Sequence, residues 1–347
     1  MKLKRILDGV AIGVFVLAVF GLGWNVAGTS NDFREISKNF EAAVSQSQVS
    51  TDIIKDLDFS KVYKKDLKLV FVGDIMLSRG VANQIKENDD FNYPFLNIAD
   101  YLNSFDLAIG NLEGPISNKG TNQGSIYSFR ADPKVVEGLK YAGFDVVSLA
   151  NNHMLDWGRE ALVQTRDLLE ADGIKVTGAG KDYIEANEPP VFGVEGQKLA
   201  FLSYTDLYPK SLSATEALAG VSDFNIEKIK AEIGELKKEG NLVVILMHWG
   251  EEYHAKSDTT QQKIARVFID AGADLIVGTH PHVAQEIEEY LGKYIVYSLG
   301  NFVFDQNFSA ETMKGMAVEV DIRDGSVTKV LSREVEISPT FQPEISK

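Results

Sequence analysis

The chain has 347 residues, 44% of them hydrophobic, an ordinary globular composition for one large or two small domains. Its formal net charge of −15 argues against nucleic acid or anionic membrane surface as a general partner, because the mean field repels polyanions. It has no cysteine, so disulfides, thiolate metal sites and cysteine nucleophiles are excluded, and any metal must be held by nitrogen and oxygen.

Lys2, Lys4 and Arg5 precede an uncharged run over residues 9–24, which stretches to 6–28 if Asp8 lies at an interface. Basic residues followed by such a run mark an export signal. The run exceeds the usual ~7–15-residue signal core, and its stretched form meets the ~20 residues that span a bilayer. A retained anchor over residues 1–29 is therefore expected. The positive-inside rule places everything after it outside the cytoplasm. Cleavage near Val26-Ala27-Gly28 would instead make the protein secreted. Residues 30–66 are polar and lack glycine and proline, with Phe33, Ile36, Phe40 and Val44 at helical spacing. They read as a stalk or solvated linker.

From residue 67 the texture changes. Residues 67–72 form an apolar run ending in Gly73-Asp74, and 106–109 another ending in Gly110-Asn111-Leu112-Glu113. A third, 145–150, ends in Asn151-Asn152-His153. Strands are also expected over 174–177, 198–204, 242–247, 273–277 and 294–299. Helices are expected over 133–142, 159–171, 225–239 and 259–271, with glycine at or soon after each end. Residues 316–322 and 326–335 alternate like an antiparallel hairpin around Arg323-Asp324-Gly325. Helices alternating with near-continuous apolar strands predict an α/β layered domain over 67–340. Residues 83–101 and 114–130 are expected as insertions above the sheet edge that shape a cleft.

In open α/β sheets, ligands bind outside the carboxyl ends of the strands. Here those ends carry Asp74, then Asn111 and Glu113, then Asn152 and His153, then His248, then His280 and His282. A lone aspartate after a strand is commonplace, but successive strands all ending in oxygen or imidazole ligands are hard to obtain by accident. Residues two apart in extended chain point the same way. Pro281 biases His280 towards that conformation, so the two imidazoles are expected on one side. The bland alternative is a pair of exposed loop histidines. Glu113 is suited to bridge two ions about 3.5–4 Å apart. Asn152 can ligate without adding charge. A neighbouring His153 that does not ligate can act as general acid, oriented by Asp156. The structural alternatives are a turn residue for Asn152 and a packed histidine bonded to Asp156. Asn111, Arg130, Tyr253 and His254 complete the set expected to meet substrate; surface loop positions are the equal alternative for the last two. Gly178-Ala179-Gly180 lacks the third glycine of a dinucleotide fingerprint, and no P-loop, Gly-x-Ser-x-Gly elbow or His-Glu-x-x-His is present.

Six stretches carry a resemblance: Val72-Gly73-Asp74-Ile75-Met76, Gly110-Asn111-Leu112-Glu113-Gly114-Pro115, Ala150-Asn151-Asn152-His153 with Asp156, His248-Trp249-Gly250-Glu251-Glu252-Tyr253, Gly278-Thr279-His280-Pro281-His282-Val283-Ala284-Gln285, and Tyr297-Ser298-Leu299-Gly300-Asn301-Phe302. Jointly and in this order, the chain resembles the poly-γ-glutamate capsule synthesis protein CapA family of the metallophosphatase-like (calcineurin-like) superfamily. The resemblance implies an α/β four-layer sandwich, two β-sheets flanked by helices, with an N-terminal transmembrane helix on the cell membrane and the domain facing outward. It implies a role in making, exporting or anchoring γ-linked polyglutamate, with an anionic polymer and a membrane synthase complex as partners and no nucleic acid. It also implies a metal-dependent hydrolase or transfer site with one or two divalent ions, Mn, Fe or Zn. Asp74 and His282 would serve the first ion, Glu113 would bridge, Asn152, His248 and His280 would serve the second, and His153 would donate a proton. The sequence departs where metallophosphoesterases carry a histidine ligand two residues after the first aspartate: that position is Met76, which leaves the first ion short of a protein ligand. Two further readings use the same residues: a non-catalytic accessory that binds polymer or synthase, and a general metal-dependent phosphodiesterase.

Overall fold

The computed structural model describes residues 66–194 and 196–346. The expected anchor over 1–29, and the stalk over 30–66 except for Asp66, lie outside the described residues. None of the described helices is long and apolar enough to cross a membrane.

In chain order the strands are β1 (Leu67–Ile75), β2 (Leu107–Leu112), β3 (Phe144–Ser148), β4 (Lys175–Thr177), β5 (Ala179–Gly180), β6 (Val191–Val194), β7 (Gln197–Thr205), β8 (Gly220–Val221), β9 (Asn241–His248), β10 (Leu275–Thr279), β11 (Ile287–Tyr290), β12 (Lys293–Val296), β13 (Asn301–Val303), β14 (Lys314–Arg323), β15 (Ser326–Ile337) and β16 (Pro343–Ile345). The main helices are α1 (Arg79–Asn88), α2 (Val136–Tyr141), α3 (Arg159–Ala171), α4 (Ile226–Lys238) and α5 (Thr259–Asp270). One sheet runs β16-β15-β14-β1-β2-β3-β4, with β13 also paired to β1; the other runs β11-β12-β10-β9-β7-β6. β1, β2, β3 and β4 are mutually parallel, as are β7, β9, β10 and β12. The tail hairpin β14–β15 forms as its alternation predicts, antiparallel, with β14 against β1.

Side-chain alternation along the strands sets the layers. Leu67, Leu69 and Phe71 of β1 face the second sheet and meet a core with Leu199, Phe201, Leu242, Val244, Leu275 and Val277. The intervening Val70 and Val72 face outward into a core with Val81 and Ile85 of α1, Leu139 of α2 and Leu162 of α3. On the second sheet Val243, Ile245 and Met247 face outward against Ile229 and Ile233 of α4 and Phe268 of α5. Three apolar cores thus separate four layers, helix, sheet, sheet, helix. Each strand buried on both faces must be apolar at nearly every position, which is why the parallel strands read as continuous runs. α5 starts on a capping box: Asp258 accepts from the Gln261 N–H at 2.8 Å, while Gln261 Oε1 accepts from the Asp258 N–H at 2.9 Å.

Two expectations change. Residues 83–101 do not stand above the sheet edge. They join the outer helical layer, because Ile85, Phe95 and Ile98, flanked by Val81 and Leu102, supply an apolar face that covers the first sheet. Phe95 meets Phe144 of β3 edge-on at 5.8 Å. The apolar run at 294–299 is a strand only over β12; its partner β11 reads Ile-Glu-Glu-Tyr and is too polar to be seen as a strand from pattern alone.

Candidate metal centre

Because the central strands of both stacked sheets end at the same edge, their final residues converge. Gly73 lets β1 pass against Gly300: a Cβ at Gly73 would stand 1.8 Å from the Gly300 carbonyl oxygen. That approach places the Asp74 N–H 3.0 Å from the same oxygen and turns the Asp74 carboxylate inward. Asp74, Glu113, His248 and His282 are each no more than 2% exposed, and His280 is 5% exposed. His282 Nδ1 lies 3.3 Å from Asp74 Oδ2, and its Nε2 lies 3.7 Å from Glu113 Oε1. His248 Nδ1 is 3.9 Å from Asp74 Oδ1, and its Nε2 is 2.8 Å from Asn152 Oδ1. The rings of His248 and His280 are 4.8 Å apart.

A second tier of amides holds these groups. Asn111 Nδ2 donates to Asp74 Oδ1 at 2.7 Å and stands 3.2 Å from His248 Nδ1. Asn151 donates to Asn111 Oδ1 at 3.2 Å and to the Leu112 carbonyl at 2.8 Å. Asn301 Oδ1 stands 2.9 Å from His282 Nδ1, while its amide donates to the Thr312 carbonyl, so His282 Nδ1 carries a proton and Nε2 faces Glu113. His153 sits at the rim, half-buried on Phe129 with ring centroids 4.0 Å apart. Its Nδ1 is 2.8 Å from Asp156 Oδ2. Asp156 is itself fixed by the Ser125 hydroxyl and the Phe129 N–H, both at 2.8 Å. An acceptor-only carboxylate keeps the proton on Nδ1 and leaves Nε2 facing Glu113 Oε1 at 3.8 Å.

The polar balance of this pocket fits a cation. Both oxygens of Glu113 and Nδ1 of His280 are buried with no hydrogen-bond partner among the described residues. Asp74 beside Glu113 is another carboxylate and cannot donate to it. A buried unpaired carboxylate costs several kcal/mol, so proteins pair it or give it a metal. Burial pushes Glu113 well above the ordinary carboxylate range, Asp74 and Glu252 push the same way, and His282 opposes. Burial, and then the neighbouring His282, hold His280 down at about 3; burial likewise holds His248 well below its usual value. Both are therefore neutral near pH 7; Nδ1 of His280 has no partner among the described residues, while both ring nitrogens of His248 are engaged by Asn111, Thr279 and Asn152. Burial works against a charge on His282, but Glu113 and Asp74 outweigh it and raise it to about 9. Asp74, Glu113 and His248 each offer one ligand atom, all within 4.8 Å of one another.

A sequence profile of the bacterial capsule synthesis protein PGA_cap matches residues 68–306, which takes in Asp74, Glu113, Asn152, His153, His248, His280 and His282. The chain belongs to that family. Two family relatives are the capsule biosynthesis protein CapA of Bacillus anthracis, 36% identical over 266 residues covering 74% of this chain and 64% of that protein, and the PGA biosynthesis protein CapA of Bacillus subtilis (strain 168), 35% identical over 253 residues covering 72% and 66%. The matched part therefore spans about two thirds of the length of these relatives. Among solved structures, the NAD nucleotidase of Haemophilus influenzae superposes with a TM-score of 0.47 at 14% identity, over 82% of this chain and 60% of that one.

In this family member the structure gathers Asp74, Glu113, Asn152, His153, Asp156, His248, His280 and His282 at one sheet edge. The backbone route at the two last histidines differs from expectation. His280 and His282 have φ of +99° and +59°, so the segment is not extended. Extended chain would carry His282 roughly 6.6 Å beyond His280, away from the edge; the left-handed turn folds it back, with the rings 5.9 Å apart. Such a conformation costs on the order of 1–3 kcal/mol per residue and persists where the surroundings over-determine it. Here the His280 N–H donates to Asp74 Oδ2 at 3.2 Å and the Tyr253 N–H to the Pro281 carbonyl at 2.7 Å. Asn111 lies beneath the cluster, bonded to Asp74 and His248, rather than facing the cleft. The guanidinium carbon of Arg130 lies over the Trp157 ring, 3.4 Å from its centroid. Tyr253 is 44% exposed with its ring 6.1 Å from His282. His254 is exposed and pairs with Glu251 at 2.9 Å. A cleft of about 770 Å3 opens beside Asn152 and Asp156, lined also by Gln123, Trp157, Arg159 and Tyr208. The 114–130 segment borders it, through Gln123 and Ser125, as expected of an insertion at the sheet edge. Sequence reasoning left Asn151, Asn301 and Glu252 without roles. Asn301 follows an apolar run and a glycine like the other site residues, which was the available signal.

Proposed function

We propose that this protein is a metal-dependent hydrolase or transferase of capsule polymer metabolism, acting on a phosphoryl or γ-glutamyl amide centre and held outward on the cell membrane by residues 1–29. The observation that carries the catalytic part is the buried, unpaired Glu113 carboxylate facing both His282 and the Asp156-oriented His153. Asp74, Glu113, Asn152, His248, His280 and His282 would hold one or two divalent ions. Such ions, when bound, polarise a substrate oxygen and lower the pKa of water.

The chain's own residues supply the rest. Asp156 holds the Nδ1 proton of His153, so when the ring carries a second proton it sits on Nε2, the atom that would deliver it to the leaving oxygen or nitrogen. The Phe129 ring covers one face of that imidazole and keeps water from it. Arg130, over Trp157 in the wall of the mouth, offers a cation to an anionic chain that the protein's net charge otherwise repels. A polymer lying in the cleft beside Asn152 and Asp156 would present its scissile bond to the cluster.

The test is turnover by the full chain of a phosphodiester and of a γ-glutamyl anilide, each with and without added Mn2+. A metal-dependent rate on either is expected, falling about 10²–10⁴-fold in His153→Ala, the usual worth of a general acid. A metal-loaded protein inert on both, or an unchanged rate in His153→Ala, refutes the catalytic reading. Inertness with retained polymer binding favours the accessory reading, which Met76 in a ligand position supports.

A further inference from the structure

We propose that Glu252 is a metal ligand, grouped with His280 and His282, and supplies a protein ligand that Met76 does not. This rests on the metal-centre reading above. Met76 is fully buried, and its sulfur is engaged by the Ser78 N–H at 3.2 Å and the Ser78 hydroxyl at 2.9 Å. A thioether so held is a poor ligand for a hard divalent ion. Glu252, His280 and His282 instead each offer one ligand atom, and these three atoms lie within 4.8 Å of one another. His280 is 5% exposed and its Nδ1 has no hydrogen-bond partner among the described residues. An imidazole nitrogen buried in that state points to a ligand it is built to receive.

The backbone fixes Glu252 there. The next residue, Tyr253, donates its N–H to the carbonyl of Pro281, the residue between the two histidines, at 2.7 Å. This bond ties the loop after β9 to the turn after β10, so Glu252 reaches the site from the solvent side while the other ligands come from the strand ends. Its neighbour shows the contrast: Glu251 pairs with the exposed His254 and is not among the grouped ligand residues. With Glu252 bound, two divalent ions outweigh the carboxylates of Asp74, Glu113 and Glu252 by one positive charge. That surplus lets an acidic protein accept an anionic substrate.

The experiment is calorimetric titration of the chelator-stripped full chain with Mn2+, together with Mn2+ counting after desalting, for wild type, Glu252→Gln and Glu251→Gln. Glu252→Gln is expected to lose one ion per chain or to weaken it at least tenfold, with the melting temperature of the stripped protein unchanged because the side chain is exposed. Glu251→Gln is expected to titrate like wild type. If Glu252→Gln also titrates like wild type, Glu252 is not a ligand and the metal centre stands without it. If wild type itself takes up no Mn2+, the metal-centre reading falls and this assignment with it.

Discussion

Replacing Glu113 by glutamine should raise the stability of the metal-stripped protein while removing its response to metal. Glu113 is 1% exposed and both its oxygens lack partners among the described residues. In the stripped protein its carboxylate is held well above its usual pKa, chiefly by burial. A group raised in this way contributes stability that is fully present below its unfolded value and lost as pH rises through its folded value. Near pH 7 it is therefore a liability, offset in part by His282, which remains protonated there with its pKa raised to about 9. Leaving a buried group unsatisfied costs about 1–3 kcal/mol. A glutamine keeps the shape, sheds the charge and can donate to Asp74. Roughly 2–4 °C of melting temperature accompanies each kcal/mol in a domain of 150–250 residues. The variant should accordingly melt several degrees above wild type in chelator. With Mn2+ at about 1,000 times its dissociation constant, wild type should gain about 4 kcal/mol by mass action and the variant far less. The order of the two melting curves should therefore reverse between chelator and metal. A variant that melts below wild type in chelator would mean that protein groups, rather than a cation, satisfy Glu113.

Asp156→Asn should keep metal binding but cut turnover roughly 10–100-fold, since the amide cannot accept from the Ser125 hydroxyl, the Phe129 N–H and His153 together; kcat with metal saturating is the readout. Asn111→Ala should weaken Mn2+ binding without touching substrate contacts, because it frees Asp74 and His248; a raised KM with unchanged metal affinity would contradict the placement. Far from the site, Asp274 is 3% exposed and accepts from Lys293 at 2.6 Å, from the Val243 N–H at 2.9 Å and from Lys237. Asp274→Ala should cost about 2–4 kcal/mol by denaturant unfolding, less than a fully buried pair because both lysines can turn to solvent.

Much of the fold was legible because strands buried on both faces admit few polar residues. Residues 159–171 show helical spacing closed by glycine, and α3 occupies that span. The convergence at the sheet edge was legible for the same reason: Asp74, Glu113 and His248 come at or just beyond the ends of apolar runs, where the burial requirement stops. Three features were not. The left-handed backbone at His280 and His282 is set by tertiary bonds from Asp74 and Tyr253, partners that no local pattern around residues 280–282 reveals. Glu252 sits among other charged loop residues, and only the Tyr253–Pro281 bond separates it from Glu251. Residues 83–101 mix charges with scattered apolar groups, and their role as a cover for β3 depends on Phe95 reaching Phe144.

The most direct test of the metal centre is elemental analysis of the purified full chain after exposure to Mn2+, Fe2+ and Zn2+ and desalting, beside a His248→Ala, His280→Ala double variant. One or two ions per folded wild-type chain, absent from a folded double variant, is the expected result. A wild-type chain that retains no divalent metal, or a double variant that retains as much, would contradict it.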